Sequence, residues 1–190
     1  MKVSDVVQLL SGPNASRIKK KYDNRLLYTV ADIELDLSQL GTKKKVKKRD
    51  MPDFFTQTGD VVISLMKQQA AIVTPMNAGK ILTSNFVKCQ FDEKLLDAWY
   101  FCYWINESGE VKRQNYRNVS LSVYTPRFVD ELEMRLPPIE MQRQIGKLYK
   151  NLKHMQGLMD KQKDDWTHFT LQIIRNTTRE VMEYGDNGKQ

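Results

Sequence analysis

Between Ile145 and Ile173 the apolar residues return at steps of three and four: Ile145, Leu148, Leu152, Met155, Met159, Trp166, Phe169 and Ile173, with Gln162 at the skipped place. With Ile145 as heptad position a, these residues fill the a and d positions. A repeat of 3.5 residues held over about four heptads is the pattern of a coiled-coil seam. Leu136-Pro137-Pro138 opens the stretch and no proline follows it; prolines in a first turn cost little because the amides there are unpaired anyway. The spacing predicts a helix over 137–184, near 70 Å long at about 1.5 Å per residue. One small domain cannot bury a stripe of that length, and the chain offers no second helix to match it. The expected partner is a second copy, giving a homodimer through Ile145, Leu148, Leu152, Met155, Met159, Trp166, Phe169 and Ile173. The alternative is a helix lying across its own domain. Gly157 falls at position f, expected on the outside, where it costs roughly 1 kcal/mol of helix propensity.

The remaining 136 residues are enough for one domain of ordinary size. Two cysteines, Cys89 and Cys102, form no CxxC pair and suit a reducing compartment without a disulfide framework. The first residues do not read as a signal peptide and no run is long and apolar enough to span a membrane, so the expected location is cytoplasmic, with no membrane partner. The net charge is +7, and residues 1–50 hold 12 Lys and Arg against 6 Asp and Glu while the rest nearly balances. That surplus forms two runs, Arg17 to Arg25 and Lys43 to Arg49. Dense cationic runs suit a nucleic-acid backbone better than a small anion; a solvated basic loop is the alternative.

Along the chain, Val3 to Leu10 reads as an opening helix or turn, stopped by Ser11-Gly12-Pro13-Asn14. Residues 26–30 look like a strand, and Ile33, Leu35 and Leu37 alternate with charges as a half-wet strand does. Thr58-Gly59-Asp60 is a turn into the buried strand Val61 to Leu65, with Ala70 to Thr74 as its hairpin partner. Pro75 to Gly79 is another turn, Lys80 to Thr83 is extended, and Phe86 to Phe91 is a further strand. Asp92 is expected to cap a helix carrying Leu95, Leu96, Trp99, Tyr100, Tyr103 and Trp104, which ends near Gly109. The polar, basic residues 112–117 read as a loop, and Arg127 to Glu133 as a short helix. The fold class is α+β: a compact mixed globule over 1–136, a rod over 137–184 and a frayed tail over 185–190.

No reaction site is evident. His154 and His168 are two heptads apart on the rod, about 21 Å, and cannot share a metal within one chain. No phosphate-cradling glycine loop occurs. Asp53, Glu110 and Lys112 imitate the carboxylate–carboxylate–lysine order of Mg-dependent nucleases, but both elements are common by chance. Asp60 is expected to hydrogen-bond its own turn. Basic runs on a dimerisation rod suggest a binding module; a coiled-coil interaction adaptor is the alternative, and a nuclease a distant one.

Four places resemble the DNA-specificity (S) subunits of type I restriction–modification systems. Ser11-Gly12 with Ser16-Arg17 resembles the opening of their target-recognition domains. Thr58-Gly59-Asp60-Val61-Val62-Ile63-Ser64 is similar to their glycine–aspartate strand, and Gly79 to Phe86 holds the place of a further strand. Leu136-Pro137-Pro138-Ile139-Glu140-Met141-Gln142-Arg143-Gln144-Ile145 resembles the start of their long conserved helix. Met141 stands where that pattern has glutamate, and the glycine often found after the strand ending at Ser64 is missing.

The resemblance covers the whole chain but only once over, whereas a full S subunit has two recognition domains and two long antiparallel helices. It therefore implies a half-size form: a target-recognition domain at 1–136 and a dimerisation helix at 137–184. As a homodimer it would read a bipartite site on double-stranded DNA, with a place in DNA methylation and phage defence. The implied partner is a methyltransferase (M) subunit, with a restriction (R) subunit left open. The chain itself would catalyse nothing and hold no cofactor; S-adenosylmethionine would belong to M. Lys19, Lys20, Lys21, Lys43, Lys44, Lys45, Lys47, Lys48 and Arg49 are the expected phosphate contacts, since lysines in runs neutralise backbone without fixing register. Arg17, Gln68, Gln69, Arg113, Gln114, Asn115 and Arg117 supply the forks and amides that base reading needs, with Tyr116 against sugar or base.

Overall fold

Four short strands make one antiparallel sheet, β1 (Gln8–Ser11), β2 (Val61–Ser64), β3 (Gln69–Ile72) and β4 (Phe86–Gln90), in the order β1-β4-β2-β3. The computed structural model describes residues 1–19, 27–40, 52–117 and 123–186. The expected hairpin forms, with Ile63 opposite Ala70 and Ser64 opposite Gln69. On its other side Ile63 faces Val87 of β4, and β2 is buried along its whole length, as its continuous apolar run requires. Both expected turns are present, with Gly59 at φ 93° and Gly79 at φ 85°. The Asp60 carboxylate accepts from Gln57 N (2.7 Å) and pairs with the buried Lys88 ammonium (2.7 Å), which also donates to Phe55 O (2.8 Å).

The helices are α1 (Ala15–Lys19), α2 (Val30–Ser38), α3 (Ala98–Glu107), α4 (Gly109–Arg117), α5 (Pro126–Glu131) and α6 (Ile139–Asp186). Helices α2 and α3 both pack on β3, and α6 packs on both of them. The edge of β3 is closed by side-chain amides. Asn106 on α3 accepts from Ala70 N (2.7 Å) and donates to Ala70 O (2.9 Å), while Gln39 Nε2 donates to Ile72 O (3.1 Å). Such pairing removes the template that a bare edge offers to another strand. The core gathers Ile33, Ile63, Leu82, Leu96, Phe101 and Trp104, all essentially inaccessible.

Several expectations are overturned. The alternating run at Ile33, Leu35 and Leu37 is helix α2, not a strand. Thr29 and Asp32 form a reciprocal cap, Asp32 N donating to Thr29 Oγ1 (3.4 Å) and Thr29 N to Asp32 Oδ2 (2.8 Å). Ile33 and Leu37, four apart, go to the core, and Leu35 is left outside. Among the described residues 27–30 no strand forms: Leu27 makes an isolated bridge to Ile81, and Val30 already begins α2. Val3–Asp5 is a 3-10 turn, and Gln8 already belongs to β1. The aromatic helix is capped by Asp97, which accepts from Tyr100 N (2.8 Å), not by Asp92, whose side chain instead accepts from Lys94 N (2.9 Å) in the preceding turn. Residues 112–117 are not a loop but part of α4: Ser108 Oγ accepts from Val111 N (3.2 Å) and starts a second helix where one was expected to stop. Among the described residues no helix is long and apolar enough to cross a membrane.

Candidate nucleic-acid interface and long helix

Helix α4 sorts the sequence-predicted base-reading residues by face. Val111 is buried, and Lys112, Arg113, Tyr116 and Arg117 are exposed, Tyr116 at 80%. They fall at i, i+3 and i+4 spacing and make one solvent face of three cations and one aromatic ring. The other two residues turn inward as anchors. Gln114 Nε2 donates to Glu133 O (2.8 Å) and Gln114 Oε1 accepts from Glu133 N (2.7 Å). Asn115 Nδ2 donates to Gln68 Oε1 (3.1 Å), tying α4 to the β2–β3 hairpin. Gln68 sits there with φ 55°, a left-handed backbone that few non-glycine residues adopt. Lys67 beside it pairs with Glu34 of α2 (3.3 Å). The structure therefore brings the hairpin tip and residues 113–117 together, and it holds both with side-chain amides.

The other sites are less joined. Gln69 lies half-buried in β3, and Arg17 is exposed on α1, whose Ile18 belongs to a separate small cluster with Phe55 and Ile81. Lys19 closes α1; Lys20, Lys21, Lys43, Lys44, Lys45, Lys47, Lys48 and Arg49 lie outside the described residues.

Helix α6 has two working faces. One docks on the chain's own globule through Gln142, Gly146, Tyr149, Lys153 and Gly157. Gln142 is buried: its Oε1 accepts from Asp97 N (3.0 Å), and its Nε2 donates to Leu95 O (3.1 Å) and Pro137 O (2.8 Å). This is the glutamine of the Pro137-to-Ile145 motif, which thus has a structural duty at the start of α3. A Cβ on Gly146 would lie 2.8 Å from Tyr100 N and 2.9 Å from Trp99 Cβ. The Tyr149 hydroxyl accepts from Asn106 Nδ2 (2.9 Å), and Lys153 reaches Glu107 (3.1 Å). Gly157 is not on the outside as expected; it is buried, and a Cβ there would meet Ser38 Cβ at 2.6 Å. Met141, the departure from the motif, is exposed.

The other face carries the heptad residues. Ile145 is half-buried against the core, but Leu148 is 71% exposed, and Leu152, Met155, Met159, Trp166, Phe169 and Ile173 are each at least half exposed. Every residue from Leu158 to Arg179 is exposed. The first part of the helix lies against its own domain, and the apolar stripe beyond Ile145 is left bare.

The carboxylate–carboxylate–lysine pattern does not assemble among the described residues. Glu110 accepts from the Trp104 indole (3.0 Å), and Lys112 lies 3.8 Å from Glu107 rather than beside a second carboxylate of the nuclease pattern. Among the described residues no three His, Cys, Asp or Glu side chains are placed to hold a metal. Burial holds the Cys89 and Cys102 thiols above their ordinary pKa, the opposite of what a nucleophile or metal ligand needs.

No protein-family model matches the chain. A Methanocaldococcus jannaschii protein, provisionally described as a type I restriction enzyme MjaX specificity subunit, is 22% identical over 171 residues, covering 84% of this chain and 40% of that protein. The HsdS subunit from Thermoanaerobacter tengcongensis superposes over 86% of this chain and 39% of its own, with a TM-score of 0.52 and 15% identity. At the family level, the chain matches the type I specificity subunits. A chain from a structure of the type I R-M system, concerned with complex assembly and conformational transition, gives a TM-score of 0.53 at 12% identity over 87% of this chain and 40% of that one. The two structural likenesses show the shared fold. The chain spans about two fifths of the length of each of these relatives.

Proposed function

We propose that this chain is a half-size specificity subunit that acts as a homodimer in the cytoplasm. Two copies pair through the bare stripe of α6 as a coiled coil, so that two globules read a bipartite site on double-stranded DNA. The observation that carries this reading is the division of α6, whose one face is docked on the globule while its heptad face is apolar and uncovered. Exposed apolar stripes of that length mark interaction surfaces. The chain catalyses nothing and holds no cofactor; an M subunit supplies methyl transfer from S-adenosylmethionine, and an R subunit completes a restricting assembly.

The DNA-facing side is assigned to the outer face of α4 with the hairpin tip beside it. Gln114 and Asn115 move from base reading to positioning, because their amides are already bonded within the chain. The test is co-expression with a type I M subunit followed by mapping of methylated bases. The expected result is one motif made of two symmetric half-sites, altered by Tyr116→Ala. DNA binding that ignores sequence both with and without M would favour the interaction adaptor. Mg-dependent cleavage lost in Asp53→Ala would favour the nuclease.

A further inference from the structure

Beside α4 lies a cleft of about 300 Å³, lined also by the segment Glu133-Met134-Arg135. Arg113 and Arg117, one helical turn apart, line one wall, and Arg135 lines the other. None of the three arginines makes an ion pair with a described residue. The walls are fixed to each other by the two-way bond between Gln114 and the Glu133 backbone. The segment is held from below as well, since Met134 N donates to Met1 O (2.9 Å). Two carboxylates also line the cleft, but Glu110 turns one oxygen inward to the Trp104 indole. The cations outnumber the carboxylates, and they are guanidiniums, whose planar forks match the oxygens of a phosphate.

We propose that Arg113, Arg117 and Arg135 clamp one backbone phosphate of double-stranded DNA. The inference rests on the globule being the DNA-facing part of the chain, and it moves Arg113 and Arg117 from base reading to backbone grip. Arg135 is a residue that neither the charge runs nor the motifs singled out. A preformed cleft of this kind fixes where the duplex lies on α4, while Tyr116, outside it, stays available to a base or sugar.

The experiment uses the full chain with two duplexes of unrelated sequence, over about 50–200 mM salt. Arg135→Gln should weaken both duplexes to the same several-fold extent and flatten the slope of log K against log salt by about 0.9. Arg127→Gln, on the exposed face of α5, should leave both unchanged. Matching thermal melts of the variants establish that each is folded. Wild-type affinity and slope in Arg135→Gln would overturn the clamp while the wild type's own DNA binding keeps the proposed function. No binding of either duplex by the wild type would overturn both. If inorganic phosphate raises the melting temperature of the wild type and not of Arg135→Gln, while the two bind DNA equally, the cleft serves a free anion and the clamp is wrong.

Discussion

Asp36 shows how a residue that looks like surface in the sequence becomes the knot of the globule. Its Oδ1 accepts from Thr74 N (2.9 Å), Thr74 Oγ1 (2.6 Å) and Asn77 Nδ2 (2.9 Å), and its Oδ2 accepts from Tyr28 OH (2.7 Å). Burial lifts its pKa above the ordinary aspartate value, although these donors pull the other way. Asp36→Ala would leave four donors without a partner and should destabilise the chain by about 3 kcal/mol or more in urea melts. The pH dependence has a definite sign. Between the ordinary carboxylate pKa and the raised one, the folded state binds more protons than the unfolded state, so stability from this group rises as pH falls. Against Asp36→Asn, the wild type should therefore gain ground on acidification through that window. A wild type that loses ground there would contradict the raised value. Gln142 is the second such residue. Gln142→Ala strands Asp97 N, Leu95 O and Pro137 O and should cost about 2–4 kcal/mol, with Gln142→Glu no better because a carboxylate cannot donate to the two carbonyls. Melts indistinguishable from wild type would remove Gln142 from the docking interface. Asp60 was legible from its Gly-Asp turn. Gln114, Asn115 and Arg135 were not, because their partners lie 19 or more residues away or across a cleft.

At the scale of elements, period and length were the reliable signals. The buried strand β2, its hairpin partner and the long helix follow from a continuous apolar run, a turn and a heptad repeat. The misreadings of α2 and α4 share one cause, caps overlooked in favour of alternation or polarity. Thr29-x-x-Asp32 announces α2, and Ser108-x-x-Val111 with Glu110 in the first turn announces α4. The role of Gly157 was misjudged because heptad position says which residues face a partner helix and nothing about the chain's own globule. Docking of α6 should be sensitive at its glycines. Gly146→Ala puts a methyl group within 3 Å of the α3 backbone, and since helix propensity would otherwise favour alanine by about 1 kcal/mol, net destabilisation is the expected outcome. Melting at or above the wild-type temperature would show that α6 shifts freely on α3.

The whole molecule is one globule and one helix that serves it twice, as a wall of the domain and as a free apolar edge. Most of its charge surplus sits outside the described residues, the whole of the second run included, so the phosphate role of Lys43 to Arg49 rests on the sequence alone. Neutralising Lys44 and Lys47 together should lower affinity on any duplex and flatten the salt slope by up to about 0.9 per lost contact; an unchanged slope would exclude that run from the DNA face. Everything said of bipartite reading depends on two copies meeting along α6. Light scattering of the full chain at tens of micromolar measures this directly. The expected mass is twice that of the chain, falling to a single chain in Leu152→Asp/Met159→Asp, because a charge in the seam must be stripped of water. The double variant should keep the wild-type circular dichroism near the aromatic bands of the globule. A monomeric wild type, or a dimer indifferent to the two aspartates, would contradict the account.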